Sequence, residues 1–447
     1  MQPIVARRRV TAAAWIATLA LAAGGGAVLV AARRSAPACA APATAPALPQ
    51  RAYTYRFEPI AAESNDDTIA ALEARAHASP ASPYDTAELA ELYLARALRT
   101  ADPADYARSE ANAKRSLAVL PYPNSAPLVL AKLANARHEF REAIRLARDY
   151  LTRSNAPGAW GILATAHLAL GELAEASAAA DRLAAARPDA SAYLTRALVL
   201  QAQGRDAEAA FDFERAVAVE EPGDVEASAR TRAMWARFLL RRGQWAAADA
   251  VAAEALRVDP TSSLALAQRA EVALRTGRYA EAKQRFERAF AESRQVRYLI
   301  DQARAQELAG DLEAATSTRA QVERLVRADL RDSGLGHRLD LVEILLDRGS
   351  AGDLTEAIAL AREEVAARPS ADTRFQLARG LARAGARAEA MTELRAALAT
   401  GARDARMYEL AARLERMLGN GPRAGLYAHE AAALDPGNAG WRRLGLP

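Results

Sequence analysis

The sequence predicts an all-α protein, a solenoid of stacked helix hairpins that follows an N-terminal membrane or signal helix. Hydrophobic residues make up 51% of the chain but aromatic residues only 6%, because alanine and leucine supply most of the apolar surface. Only 24 glycines and 20 prolines occur in 447 residues, so long stretches contain nothing that breaks a helix. Glycines also recur at a nearly constant interval, which is typical of repeated structural units.

The excess positive charge is confined to the start of the chain. Residues 1–34 contain five arginines and no acidic residue, and the rest of the chain has 54 basic against 55 acidic side chains. The charge therefore gives no support for nucleic-acid binding, and we expect no nucleic-acid partner. The single cysteine, Cys39, excludes an internal disulfide framework.

The N-terminus consists of a basic segment, residues 1–9, and an uncharged segment, residues 10–32. About 20 apolar residues suffice to span a membrane, and the flanking arginines favour an N-terminus in the cytoplasm. The sequence therefore predicts a single-pass inner-membrane protein whose repeats lie outside the cytoplasm. The alternative is a cleaved signal that leaves a secreted or periplasmic protein, since small-residue cleavage sites follow. Lipidation at Cys39 stays open.

Composition sets the other boundaries. Residues 33–64 are rich in alanine and proline and predict an extended linker. Residues 65–84 predict a short helix that caps the array, and residues 85–438 contain the repeats. Residues 439–447 form a tail, in which Trp441 is expected to fold back over the last hairpin.

Eight turn glycines define the repeat length. They are 33 or 34 residues apart except for intervals of 39 and 42 residues, and an alanine follows each by five residues. His138 takes the glycine position one period earlier. Glycine ends the first helix in a left-handed conformation, and alanine lets the second helix approach closely. The glycines are Gly171, Gly204, Gly243, Gly277, Gly310, Gly352, Gly385 and Gly419.

The two long intervals predict insertions. Five additional residues fall near Glu220–Val225, and eight around Arg331–His337 or in the Arg348–Ala351 turn. We expect tolerated surface insertions, because lengthening a loop adds little entropic cost. A change in the curvature of the array is the alternative.

The repeat that begins at Pro157 resembles the tetratricopeptide repeat (TPR) family. The family's signature positions hold Trp160, Leu163, Ala164, His167, Ala176, Ala180 and Pro188. Ala164 and His167 differ from the glycine and tyrosine that are usual there. The resemblance extends over about ten repeats and implies a right-handed superhelical solenoid, in which the first helices of successive hairpins line a concave groove.

The resemblance also implies which residues face the groove. In this family the ninth residue of each repeat points inward, and many inward positions are basic here. Because arginine can bind an anion through two hydrogen bonds, we expect a protein or peptide partner that carries acidic groups, or another anionic polymer. The predicted partner-binding residues are Lys132, Arg230, Arg237, Arg241, Arg297, Arg304, Arg379, Arg383, Arg406 and Arg413.

The sequence contains no recognisable catalytic or metal-binding motif. The five histidines are dispersed, and none has another at helical spacing. We therefore expect no catalytic residue, metal or cofactor, and predict a non-catalytic scaffold or adaptor of the cell envelope rather than an enzyme. The alternative is an accessory subunit of an envelope enzyme or of a polysaccharide or secretion machinery.

Overall fold

The computed structural model describes residues 48–59, 65–78, 82–332 and 338–435. Every regular element in these ranges is a helix, which confirms the predicted fold class. Helix α1 (Asn65–Ala78) packs on the first of ten helix hairpins. Hairpins 1 to 5 are α2 (Pro83–Thr100) with α3 (Pro103–Val119), α4 (Ala126–Ala136) with α5 (Phe140–Leu151), α6 (Pro157–Ala169) with α7 (Leu173–Ala186), α8 (Ala190–Ala202) with α9 (Asp206–Ala218), and α10 (Val225–Leu240) with α11 (Trp245–Val258). Hairpins 6 to 10 are α12 (Ser263–Arg275) with α13 (Tyr279–Ser293), α14 (Val296–Leu308) with α15 (Leu312–Asp332), α16 (Arg338–Arg348) with α17 (Ala351–Ala367), α18 (Ala371–Arg383) with α19 (Arg387–Leu398), and α20 (Ala405–Met417) with α21 (Gly421–Leu434).

The alanines that follow the turns are the close-contact points of the hairpins. Each of them lies near the start of a second helix and is at most 2% exposed. A methyl group is small enough to let two helix backbones approach closely. A larger side chain at this position would push the two helices apart. These alanines are Ala143, Ala176, Ala209, Ala248, Ala282, Ala315, Ala357, Ala390 and Ala424.

The turn backbone follows the predicted pattern at His138 but not in hairpin 8. His138 has a φ of +62°, so it adopts the left-handed conformation that glycine supplies elsewhere. In hairpin 8 the left-handed residue is Gly349, with a φ of +71°, and Gly352 lies inside α17. The prediction that Gly352 forms this turn is therefore wrong. Ser350 caps α17 at Ala351, and this cap moves the turn three residues towards the N-terminus.

Ser350 forms a capping box with Asp353. The Ser350 hydroxyl accepts from the Asp353 N–H at 3.2 Å, and the Asp353 carboxylate accepts from the Ser350 N–H at 3.2 Å. Replacing Ser350 by alanine should lower the free energy of unfolding by about 1 kcal/mol, because amide groups at the helix start lose their acceptor. Ser262 precedes α12 without a side-chain cap, so Ser262→Ala is the matched control. Equal urea midpoints for the two variants would contradict the capping argument.

The first helices of the hairpins line the inner side of the stack. Each contacts its own second helix, and the first helices also contact one another from α2 to α12 and from α14 to α20. Each hairpin leaves an apolar face that its neighbour covers, so shared clusters form between consecutive hairpins, as around Leu274, Phe286 and Tyr298. The chain completes a superhelical turn, because α13 of hairpin 6 contacts α2 of hairpin 1.

The two long intervals have different structural consequences. In hairpin 7 the additional residues extend α15 to 21 residues, whereas the other second helices have 12 to 17. In hairpins 4 and 5 they form the connection that contains Glu220, which is only 6% exposed. The expectation of a tolerated surface insertion is therefore wrong for Glu220, because a buried carboxylate needs a partner.

Residues 48–59, which we name the N-terminal strap, pack on hairpins 4 to 6. The Tyr55 side chain is 3% exposed among apolar residues of α10, α11 and α12. The Tyr55 N–H donates to Glu254 at 2.7 Å, and Arg232 Nε donates to the Tyr53 carbonyl at 2.6 Å. This part of the segment expected to be a free linker is thus a docked element. This part of the Ala/Pro-rich segment docks because its aromatic side chains, Tyr53 and Tyr55, pack on the hairpins and because Arg232 binds the Tyr53 carbonyl.

The helices of the structure contradict the predicted membrane location. Within the described ranges no helix combines the length and the apolar character that a membrane span needs. The segment 10–32, on which that prediction was based, lies outside the described residues, as do Cys39, the tail 439–447 and Trp441.

Candidate binding cavity

A cavity of about 450 Å³ lies inside the superhelical turn formed by hairpins 5 to 10. Its walls are mainly the inner faces of the six first helices α10, α12, α14, α16, α18 and α20, and Phe286 of α13 and Leu434 of α21 complete them. The first and the last of these helices, α10 and α20, both border the cavity, so the six helices form a ring around it. The concave surface of these hairpins therefore surrounds the cavity from several sides.

Charged residues of both signs line the cavity. Six arginines and six carboxylates contribute to its wall, so their formal charges balance. The inward positions predict an excess of basic residues, and the structure shows acidic residues in equal number. The arginines are Arg237, Arg241, Arg275, Arg297, Arg304 and Arg406, and the acids are Glu271, Asp301, Asp340, Glu343, Asp372 and Asp404.

Most of these charges are matched inside the wall. Arg297 binds Asp301 at 3.0 Å and also pairs with Glu343 on the next first helix. Arg406 pairs with Asp404 at 2.6 Å, at the start of α20. Such pairs hold their side chains in one geometry because each partner compensates the desolvation of the other.

The shared arginine affects its two carboxylates differently. Burial raises the pKa of Asp301, and Arg297 offsets this effect only in part. Burial also acts to raise the pKa of Glu343, but Arg297 and then Arg379 outweigh it and hold that pKa below its usual range. Glu343 is therefore the more firmly ionised partner of Arg297.

Arg237 and Arg241 differ from Arg275, Arg297 and Arg406, the cavity arginines that form ion pairs. Arg237 and Arg241 lie one helical turn apart at the end of α10, and neither side chain has a hydrogen bond or ion pair to any residue in the described part of the chain. The Arg237 Nε atom is buried without an acceptor. Burial, and then the neighbouring charge of Arg241, lower the pKa of Arg237 to about 10. Neither of these two adjacent guanidinium groups thus forms an ion pair, although the more distant charge of Asp372 acts to raise the pKa of Arg237.

The ten predicted site residues fall into two groups. Arg237, Arg241, Arg297, Arg304 and Arg406 line the cavity, and the other five do not. Of those five, Arg230 is exposed, and Arg383 donates to the Leu346 carbonyl. The remaining three are engaged in ion pairs, namely Lys132 with Glu91, Arg379 with Asp347, and Arg413 with Glu409.

The carboxylates of the cavity wall were not predicted from the sequence. Asp301 follows Arg297 by four residues, so both lie on one face of α14, and Glu343 takes the same repeat position as Asp301 two helices further on. Extending the inward register to the sixth residue of each repeat would have found both. The pairing of Arg406 with Asp404 has the simpler signal of two charges flanking a helix start.

A second cavity of about 430 Å³ lies between α5, α6 and α7. Trp160 and His167 contribute to its wall, and the Arg182 guanidinium lies 5.1 Å from the Trp160 ring centroid. His167 contacts Glu172 at 2.6 Å and is 4% exposed, which is the environment of a packed histidine. Across the described ranges, no group of three or more His, Cys, Asp or Glu side chains is arranged to hold a metal ion.

Comparisons with known proteins concern the fold. No family model matches the chain, and no curated protein matches it. Among solved structures, a tetratricopeptide repeat protein from Parabacteroides merdae is 18% identical, with 53% of this chain and 93% of that chain covered and a TM-score of 0.39. The human IFIT1 dimer with PPP-AAAA is 16% identical, with 83% and 86% covered and a TM-score of 0.48. PilW, a type IV pilus biogenesis factor, is 18% identical, with 44% and 91% covered and a TM-score of 0.37.

At these identities and TM-scores, no ligand or partner of the three proteins can be assigned to this chain. The fold is evident from the chain's own features. The turn residues recur mostly at 33 or 34 residues, and the alanines that follow them are buried where two helices meet. The hairpins stack with their first helices inside. With this repeat and this stack, the chain has the fold of a tetratricopeptide-like solenoid of helix hairpins.

Proposed function

We propose that this chain is a non-catalytic interaction scaffold that holds an acidic segment of a partner protein in the cavity, against Arg237 and Arg241. The observation that carries the proposal is the unmatched pair of guanidinium groups on α10 in a wall of otherwise compensated arginines. Repeat arrays of this kind present an extended inner surface for binding. The envelope setting is not part of the proposal, because it depended on the corrected membrane location.

The electrostatics of the wall favour an anion at this position. An anion between the two guanidinium groups would offset their mutual repulsion and supply the acceptor that Arg237 Nε lacks. Charge-assisted hydrogen bonds of this kind contribute roughly 1.5–3 kcal/mol each. Arg241 also helps to hold the pKa of Asp404 below its usual range, so Arg241 already acts on the opposite edge of the ring.

The size of the cavity restricts what can enter. A volume of about 450 Å³ falls in the range of pockets that hold small ligands. It accommodates a few side chains of an extended segment and excludes a folded domain. The partner is therefore expected to insert a flexible acidic segment, which carries carboxylates without bulky side chains.

Binding of a defined peptide tests the proposal. The probe is a fluorescently labelled glutamate-only peptide with blocked ends, compared with a glutamine-only peptide of equal length. Arg237→Gln and Arg241→Gln should each weaken binding of the glutamate peptide about tenfold or more, because each removes a charge-assisted hydrogen bond. Arg115 is exposed on α3 and its side chain forms no ion pair within the described residues, so Arg115→Gln is the control and should leave affinity unchanged.

Three results would decide against this function. The first is equal affinity for the two peptides, and the second is an affinity for glutamate that survives both substitutions. The third is a single-stranded RNA oligonucleotide that binds more tightly than the peptide and depends on the same arginines. That result would replace the protein partner with a nucleic acid, and its steeper salt dependence would identify it.

A further inference from the structure

Successive turns of the superhelix touch along one line, which we name the seam. It consists of the turns of hairpins 3 and 4 against the loops that precede hairpins 9 and 10. A Cβ atom placed on Gly171 would lie 3.0 Å from the Pro369 carbonyl oxygen, and one on Gly204 would lie 2.7 Å from that of Gly401. Asp206 pairs with Arg403 at 3.0 Å. The partners are about 200 residues apart, which is one superhelical turn.

The centre of the seam is backbone against backbone. Gly204 has a φ of +72° and Gly401 a φ of +89°. A Cβ on Gly401 would lie 2.6 Å from the Gln203 carbonyl oxygen, so no side chain fits at this position. Glycine is required here both by the conformation and by the approach of the second chain segment.

Asp206 connects the two edges of the cavity ring. It pairs with Arg242, which follows α10, and with Arg403, which precedes α20. These two helices are the first and the last of the six that enclose the cavity. A carboxylate from the preceding turn thus holds both edges of the ring together, directly beside Arg241 and Asp404.

No hydrophobic core crosses the seam. In the described part of the chain, the apolar clusters join consecutive hairpins, and none joins hairpins 3 to 5 with hairpins 9 and 10. The Arg403–Asp206 pair is itself partly exposed, at 38% and 22% of the two side chains. Exposed ion pairs stabilise weakly and are screened by salt. Separation of the seam therefore disrupts none of these apolar clusters, whereas separation of neighbouring hairpins does.

We propose that the seam is the gate of the cavity. Its separation moves the edge formed by α20 away from α10 and admits an extended segment sideways, and its closure encloses that segment. The role in admitting a partner depends on the proposed function, but the opening itself is a property of the fold. The gate gives an extended segment a sideways path between α10 and α20 into the cavity.

The opening can be measured without any ligand. The full chain with Cys39→Ser and Gln268→Cys carries one thiol, on a residue that lines the cavity and is 8% exposed. Its reaction rate with a bulky maleimide reports access to the cavity. Adding Gly401→Ala, whose methyl group wedges the seam apart, should raise this rate about tenfold or more by increasing the open population.

Two further variants make the result specific. Gly419→Ala is the matched control, because Gly419 has a similar φ of +82° but no atom within 4 Å of its added Cβ, and it should leave the rate unchanged. Asp206→Asn removes the charge without backbone strain and should raise the rate. In the parent protein, high salt should raise the rate, whereas it should change little in Asp206→Asn.

Equal labelling rates in the parent, Gly401→Ala and Asp206→Asn proteins would overturn the gate. Binding of the glutamate peptide then separates the two proposals. If the peptide binds through Arg237 while the labelling rates do not respond, the proposed function stands and the gate fails. If the labelling rates respond but no peptide binds, the gate stands and the proposed function fails. If the gate operates and the glutamate peptide binds, Gly401→Ala should raise both the association and the dissociation rate constants of the peptide.

Discussion

Replacing Arg232 by alanine should destabilise the array by about 3–5 kcal/mol, the largest effect that we expect from a single charged side chain. The Arg232 side chain is 0% exposed and binds both oxygens of Glu220, at 2.7 and 2.8 Å. Its loss would leave the Glu220 carboxylate buried without a counter-ion. Urea unfolding measures the loss, and hydrogen exchange should localise it to hairpins 4 and 5.

Arg232 also holds the N-terminal strap. Its Nε atom donates to the Tyr53 carbonyl, and the guanidinium carbon lies 5.4 Å from the centroid of the Tyr55 ring. The alanine variant therefore removes an ion pair, a strap contact and packing volume in one step. Amides of α11 that lie under the strap should exchange faster in Arg232→Ala than in the parent protein.

Two comparisons isolate the ion pair. Arg269 pairs with Asp249 at 2.8 Å, but the two side chains are 26% and 33% exposed, so Arg269→Ala should cost less than about 1 kcal/mol. The double variant Arg232→Met with Glu220→Leu should recover most of the loss, since apolar residues replace buried ion pairs without penalty in several proteins. A double variant as unstable as Arg232→Ala would show that the loss comes from packing against the strap.

The hairpins could be predicted because the signals for them are local. A left-handed turn residue and a small residue five positions later lie within one repeat, so a periodic pattern reveals both. Even His138, with no glycine at all, was placed in its turn by the spacing alone. The prediction was wrong at Gly352, where the stronger local signal was the capping box of Ser350 with Asp353.

The cavity could be predicted only in part. The register placed Arg237, Arg241, Arg297, Arg304 and Arg406 on the inner side, and the structure brings these five together. Whether an inward arginine is neutralised depends on the neighbouring helices, as the pairing of Arg297 with Glu343 shows across 46 residues. Sequence spacing within one repeat carries no information about such a neighbour.

The strap and the seam could not be predicted from the sequence. Tyr55 and Glu254 are 199 residues apart, and Asp206 and Arg403 are 197 residues apart. Such contacts depend on the number of hairpins in a superhelical turn, which accumulates from small rotations between neighbours. No single residue encodes that rotation, so the closure of the ring becomes apparent only in three dimensions.

Replacing Phe213 by alanine should lower the free energy of unfolding by about 3–5 kcal/mol, the range found when a fully buried phenylalanine is removed. Phe213 is 0% exposed, and its ring centroid lies 5.3 Å from that of Phe238 and 6.2 Å from that of Trp235. Both neighbours belong to α10, so the ring joins hairpin 4 to hairpin 5. Its removal leaves a cavity at the junction that carries the strap, Arg232 and the two unmatched arginines.

The same helix supplies the control. Phe211 is 59% exposed on α9, two residues before Phe213, so Phe211→Ala should change the free energy of unfolding by no more than about 0.5 kcal/mol. Both substitutions replace phenylalanine by alanine in one helix and therefore raise helix propensity equally. The difference between their free energies of unfolding thus measures the effect of burial alone. If the array unfolds in steps, the loss should affect the transition of hairpins 4 and 5 before the others, since each repeat contacts mainly its neighbours. Similar midpoints for Phe213→Ala and Phe211→Ala would mean that this junction does not hold the two hairpins together.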